Sequence, residues 1–106
     1  MSTLPFTTLT SSGESYRIDF PLHPETGSAS EVGELMTVVL DAVTQHLERQ
    51  GKVSNGDVLQ ALAMTLAIRT QMLPAQPSVG RQLAMELVTA ALDAATSATS
   101  NHVGRA

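Results

Sequence analysis

The sequence predicts a mainly α-helical protein: a three-helix bundle with an N-terminal extended arm or hairpin, paired as a dimer. Three observations carry this expectation. From Ser28 onward, apolar residues recur at helical spacing through three stretches, which are cut apart at Gly51 and Pro74. Before Ser28 the composition shifts to Thr, Ser, Pro and Gly, and this segment holds all three aromatic residues, Phe6, Tyr16 and Phe20. The middle helical stretch has apolar side chains on two opposite sides, one more than a small bundle buries.

Residues 1–27 are expected to form the arm. Within "SYRIDF" the residues alternate, with Tyr16, Ile18 and Phe20 on one face and Arg17 and Asp19 on the other, as in a half-buried strand. Pro21 should end it. "LPFTTLT" offers a second strand, joined through the turn-like "SSGE". A lone hairpin is marginal unless it packs on something.

The first helix is expected to begin at Ser28 or Ser30, with Ser30 as the cap and Glu31 and Glu34 near the positive end of the helix dipole. It should run to about Gln50 and stop at Gly51. Val32, Leu35, Met36, Val39, Leu40, Ala42, Val43 and Leu47 fall in one arc, and Glu34, Thr37, Asp41, Thr44, Gln45 and Glu48 fall opposite. The second helix opens at Ser54, with Asp57 three residues on as in a capping box, and runs to Leu73. On it Leu59, Leu62, Leu66 and Leu73 line one face, while Ala61, Met64, Ile68 and Met72 line the other. The third helix, capped by Ser78, should run from Val79 to about Thr99. Its arc centres on Leu83, Leu87, Ala90, Ala91, Ala94 and Ala98, small enough to admit another helix closely. The domain division is therefore an arm over 1–27, a three-helix domain over 28–100 and a flexible tail over 101–106.

With 42% hydrophobic and 15% charged residues, the 106-residue chain fits one globular domain. A net charge of -4 and only six Lys and Arg argue against a protein that lives on phosphate backbones. The lack of Cys excludes disulfides, thiolate nucleophiles and thiolate metal sites. "MSTLPFTTLTSS" has neither the basic start nor the apolar run of a signal peptide, and no later stretch approaches the roughly 18 apolar residues of a membrane span. The cytoplasm is the expected location.

Candidate chemistry is sparse. His46 falls within the apolar arc of the first helix near Val39 and Val43, but no His or carboxylate stands three or four residues away, as a helical metal site requires. A structural histidine is the expected reading. Ser is plentiful only in caps and loops, where no base accompanies it. Glu31 and Glu34 are explained by the helix dipole. "GKVSNG" lacks the glycine spacing and preceding strand of a phosphate loop. No enzyme activity, cofactor or metal is expected.

What remains is the uncovered side of the second helix. Apolar stripes of this length mark interfaces, and two-fold pairing is the commonest way to bury one. Three covers are open to it: the aromatic arm folded back on its own bundle, the same face of a second copy, or a different protein. The second copy is favoured, which makes Ala61, Met64, Ile68 and Met72 the expected homodimer interface, with Met suited to adaptable contacts. Phe6, Tyr16, Ile18 and Phe20 are the expected anchors for a different protein partner, either by adding a strand or by inserting a ring into a groove. The function so read is that of a small regulator acting through protein binding.

In size, helical makeup and lack of catalytic motifs, the chain resembles the small dimeric antiactivators that bacteria use to restrain quorum-sensing transcription factors. That resemblance implies a function of occluding a transcription regulator. A second likeness runs over residues 15–68, where "YRIDF", a helix, and "GKVSNGDVLQALA" resemble the strand and two helices of ribbon-helix-helix DNA-binding dimers. It implies that Arg17 and Asp19 face the DNA groove. An Asp there is unfavourable beside bases and phosphates.

Overall fold

The computed structural model describes residues 2–9, 15–98 and 102–103. In chain order the elements are β1 (Thr3–Leu9), β2 (Ser15–Pro21), α1 (Ala29–Gln50), α2 (Asn55–Gln71), α3 (Pro77–Ala98) and β3 (His102–Val103). The protein is mainly helical, with an antiparallel hairpin at its N-terminus. The turn read in "SSGE" lies outside the described residues. A short strand, β3, forms within the segment read as a tail and pairs antiparallel with Ser15 and Tyr16. The chain divides into two compact units, residues 1–33 with 86–106, and residues 34–85.

In the first unit, β1 and β2 pair so that Leu4 faces Phe20, Phe6 faces Ile18 and Thr8 faces Tyr16. These residues share one side of the ribbon and are half-buried, whereas Thr3, Pro5, Thr7, Arg17, Asp19 and Pro21 on the other side are exposed. The Leu22 N–H donates to the Ser2 carbonyl at 2.9 Å. Antiparallel pairs alternate between hydrogen-bonded and open, so pairs 4/20 and 6/18 are bonded and pairs 3/21 and 5/19 are open. Pro5 and Pro21 therefore occupy positions whose missing N–H points away from the β1–β2 ladder, and neither weakens it. Pro5 instead removes a donor from the middle of the free edge of β1, which blunts that edge against strand addition.

Beyond β2 the chain turns over His23, whose carbonyl accepts from the Thr26 N–H at 3.0 Å and the Thr26 Oγ1 at 2.7 Å. The cap of α1 is Ser28 rather than Ser30: the Glu31 N–H donates to Ser28 Oγ at 3.2 Å. A Cβ placed on Gly33 would stand 3.8 Å from Leu4 Cδ1, so the start of α1 passes close to the apolar side of the ribbon and leaves room there for an alanine side chain.

The second unit contains the rest of α1, all of α2 and the start of α3. Gly51 ends α1 in the left-handed conformation that a glycine adopts freely, at φ 82°, with its N–H on the Leu47 carbonyl at 3.0 Å. Ser54 caps α2 as its sequence position predicts, its Oγ accepting from the Asp57 N–H at 3.1 Å. Third in order, α3 begins two residues before the expected Val79. Pro77 takes the first helical position, where its missing N–H costs nothing, and the Gln76 carbonyl accepts from Val79 and Gly80. Ser78 lies inside the first turn and is not the cap.

Gly80 is the one buried residue of this unit. A Cβ there would meet Thr70 Cγ2 at 3.1 Å and Leu73 Cδ1 at 3.6 Å, so the glycine permits the close approach of α3 to the end of α2. Thr70 cannot swing away cheaply, because its Oγ1 donates to the Leu66 carbonyl at 2.8 Å. Gly80→Ala gains roughly 1 kcal/mol of helix propensity and meets an overpacking cost of about 1–3 kcal/mol. The expected result is a net loss of about 1 kcal/mol in thermal unfolding. In a Thr70→Ser background, which removes Cγ2 and keeps the hydroxyl, the same Gly80→Ala change should become neutral or stabilising. Equal effects in both backgrounds would exclude the Thr70 methyl as the obstacle.

Candidate interaction surface

Every residue of α2 is exposed except Val58 and Thr70, which are half-buried. On the side read as an interface, Ala61 is open and Met64, Ile68 and Met72 are 56%, 58% and 61% exposed. The opposite side differs from expectation. A packed bundle was expected to bury its leucines, yet Leu59 is 68% exposed and Leu66 42%. The cause is a shortage of covering surface within the unit, since α1 leaves Leu35, Val38, Val39 and Leu40 exposed as well. Only Met36, Val43 and Leu47 of its apolar arc in this unit are half-buried.

Two charged residues stand on α2, Asp57 in the first turn and Arg69 in the last. At 100° per residue Asp57 falls on the same side as Ala61, Met64 and Ile68. Arg69 falls at the edge of the leucine side by helical spacing but turns its head the other way: Nη1 donates to Met72 Sδ at 3.2 Å. Its stem and guanidinium thus border the methionine stripe, where long cationic side chains cover apolar surface readily. Among the described residues neither Asp57 nor Arg69 is in a salt bridge.

The arm residues Phe6, Tyr16, Ile18 and Phe20 come together on one side of the ribbon, but half-buried rather than free. Leu4 belongs to the same side, opposite Phe20. Its signal was the alternation of Leu4, Phe6 and Thr8, legible only once the register was known. On the exposed side Arg17 Nε lies 3.4 Å from Asp19 Oδ1, which offsets the one cation that the ribbon could offer a phosphate. Moreover, β2 is paired with β1 of its own chain, which leaves that edge unavailable to a strand from a second copy. Beside this face Pro21, Ala90, Asp93, Ala94 and Ser97 complete an open groove of about 610 Å³.

His46 is exposed on α1. His23 accepts the Glu25 N–H on Nδ1 at 3.1 Å and places Nε2 3.8 Å from Glu86 Oε1, an arrangement that ties the turn before α1 to α3. Among the described residues no three His, Asp or Glu side chains gather as a metal site would need, and no helix is long and apolar enough to cross a membrane. No protein-family model matches the chain, and comparison with curated proteins and with solved structures finds no match.

Proposed function

We propose that this chain is a non-enzymatic cytoplasmic regulator that acts by binding proteins, first a second copy of itself and then a different partner. The observation that supports it is the open stripe of Met64, Ile68 and Met72, with Ala61 between Asp57 and Met64. Fourteen large aliphatic side chains of residues 34–85 are at least 36% exposed. They lie on both sides of α2 and along α1, so apolar surface is open on more than one face of this unit. Contiguous apolar stripes of this kind mark interaction surfaces when they stay open. A three-helix core is thereby completed between two copies.

With α2 used in the dimer, the aromatic ribbon and the outer side of α1 are the surfaces left for a heterologous partner. The blunted edge at Pro5 favours recognition through side chains over strand addition. Occlusion of a quorum-sensing transcription regulator is the form of activity that the likeness to small bacterial antiactivators suggests. DNA binding is the weaker reading, because Arg17 is paired with Asp19 and the ladder of β2 is used within the chain.

Light scattering coupled to size exclusion tests this directly. The expected mass is that of two chains, retained in 1 M NaCl because apolar burial is not screened. Duplex DNA at low salt should bind negligibly. A single-chain mass at every concentration, or DNA affinity that falls steeply with salt, would overturn the proposal.

A further inference from the structure

The charges on α2 specify how two copies meet. Asp57 and Arg69 stand at opposite ends of the methionine stripe, about 18 Å apart along the axis. Neither has an ion-pair partner within the described residues, and Arg69 is turned over Met72 at 3.2 Å. We infer that α2 pairs antiparallel with α2 of a second copy, in the register that sets Asp57 of each chain against the partner's Arg69. This inference rests on the dimer proposed above and adds its direction and register.

The argument is one of self-complementarity. A two-fold axis makes every contact occur twice, so a stripe with a negative end and a positive end satisfies both ends only when the copies run in opposite directions. A parallel pair would set Asp57 against Asp57 and Arg69 against Arg69. Antiparallel pairing also opposes the helix dipoles. The register sets the axis level with position 63, midway between the two charges, which brings Ala61 of one chain within about one residue of the level of Met64 of the other. The small residue leaves room that the long flexible one fills. The occupant is a second copy because the stripe carries its own complement.

Charge exchange tests it. Asp57→Arg alone and Arg69→Asp alone each turn two attractive contacts per dimer into two repulsive ones, and each should weaken self-association about tenfold or more at low salt. Mixed in equal amounts, the two variants should pair with each other about as tightly as the unaltered chain, since every 57/69 contact is again of opposite sign. The chain carrying both substitutions should also self-associate normally, although its helix termini bear the unfavourable charges. That variant therefore separates a pairing effect from damage to α2. The single-variant defects should shrink in 1 M NaCl, where the screening length is about 3 Å. Single variants that dimerise as well as the unaltered protein, or a mixture no tighter than either alone, would overturn the register and leave the dimer standing. A monomeric unaltered chain would remove both.

Discussion

Ile68→Glu is expected to reduce the protein from two chains to one in sedimentation equilibrium, across the micromolar range. In the proposed dimer each Ile68 would meet apolar surface of the other copy, so a carboxylate there would lose its water without gaining a cation. A buried unpaired charge costs about 3 kcal/mol or more, and the two-fold axis imposes the cost twice. Self-association should weaken by at least about a thousandfold, since each 1.4 kcal/mol is a factor of ten. Met64→Glu, one turn away on the same stripe, should behave alike. Thr44→Glu, on the polar side of α1, should leave the mass unchanged, as exposed substitutions change little. Two-chain mass in both stripe variants would remove Ala61, Met64, Ile68 and Met72 from the interface.

The elements of this fold were legible where the signal is local. Gly51 stops α1 because only a residue without Cβ adopts φ 82° freely, and Ser54 starts α2 because its hydroxyl satisfies a helix-end N–H. At the start of α1 two serines two residues apart compete as the cap, and Ser28 takes the role over Ser30 because it holds the three-residue spacing to Glu31 that marks a capping box. The hairpin followed from alternation, but its register and the membership of Leu4 needed the partner strand. As a two-residue strand, β3 has no sequence signature of its own and exists only by pairing with Ser15 and Tyr16. Least legible was burial. Periodicity reports which faces of a helix are apolar and says nothing of what covers them, so the leucine side of α2 has the pattern of a core face although Leu59 and Leu66 stand open. Nor could spacing foresee that Arg69 turns its head toward Met72, a choice of rotamer.

That openness leads to the second large effect: the melting temperature should rise with protein concentration. In residues 34–85 the only buried residue is Gly80, and neither α1 nor α2 contains a buried side chain. At 17 residues, α2 is little longer than the ~12–15 below which an isolated helix is marginal in water. Its stability must come from packing, and packing against a second copy, as proposed, would make folding and association one event. Unfolding of such a dimer depends on concentration by about 1.4 kcal/mol for every tenfold change. For a dimer of this size that corresponds to about 3–6 °C in melting temperature per decade. Far-UV circular dichroism followed over a hundredfold dilution should show the shift, and Ile68→Glu should melt lowest of all and lose helical signal at 25 °C. Here the outcomes separate two kinds of dimer. A constant melting temperature with two-chain mass would mean that each copy folds alone and associates afterwards, so that the stripe is a docking surface rather than a missing half of the core. A shift of the expected size would make the concentration of the protein itself a control on its activity, because below the folding threshold no surface is presented to any partner.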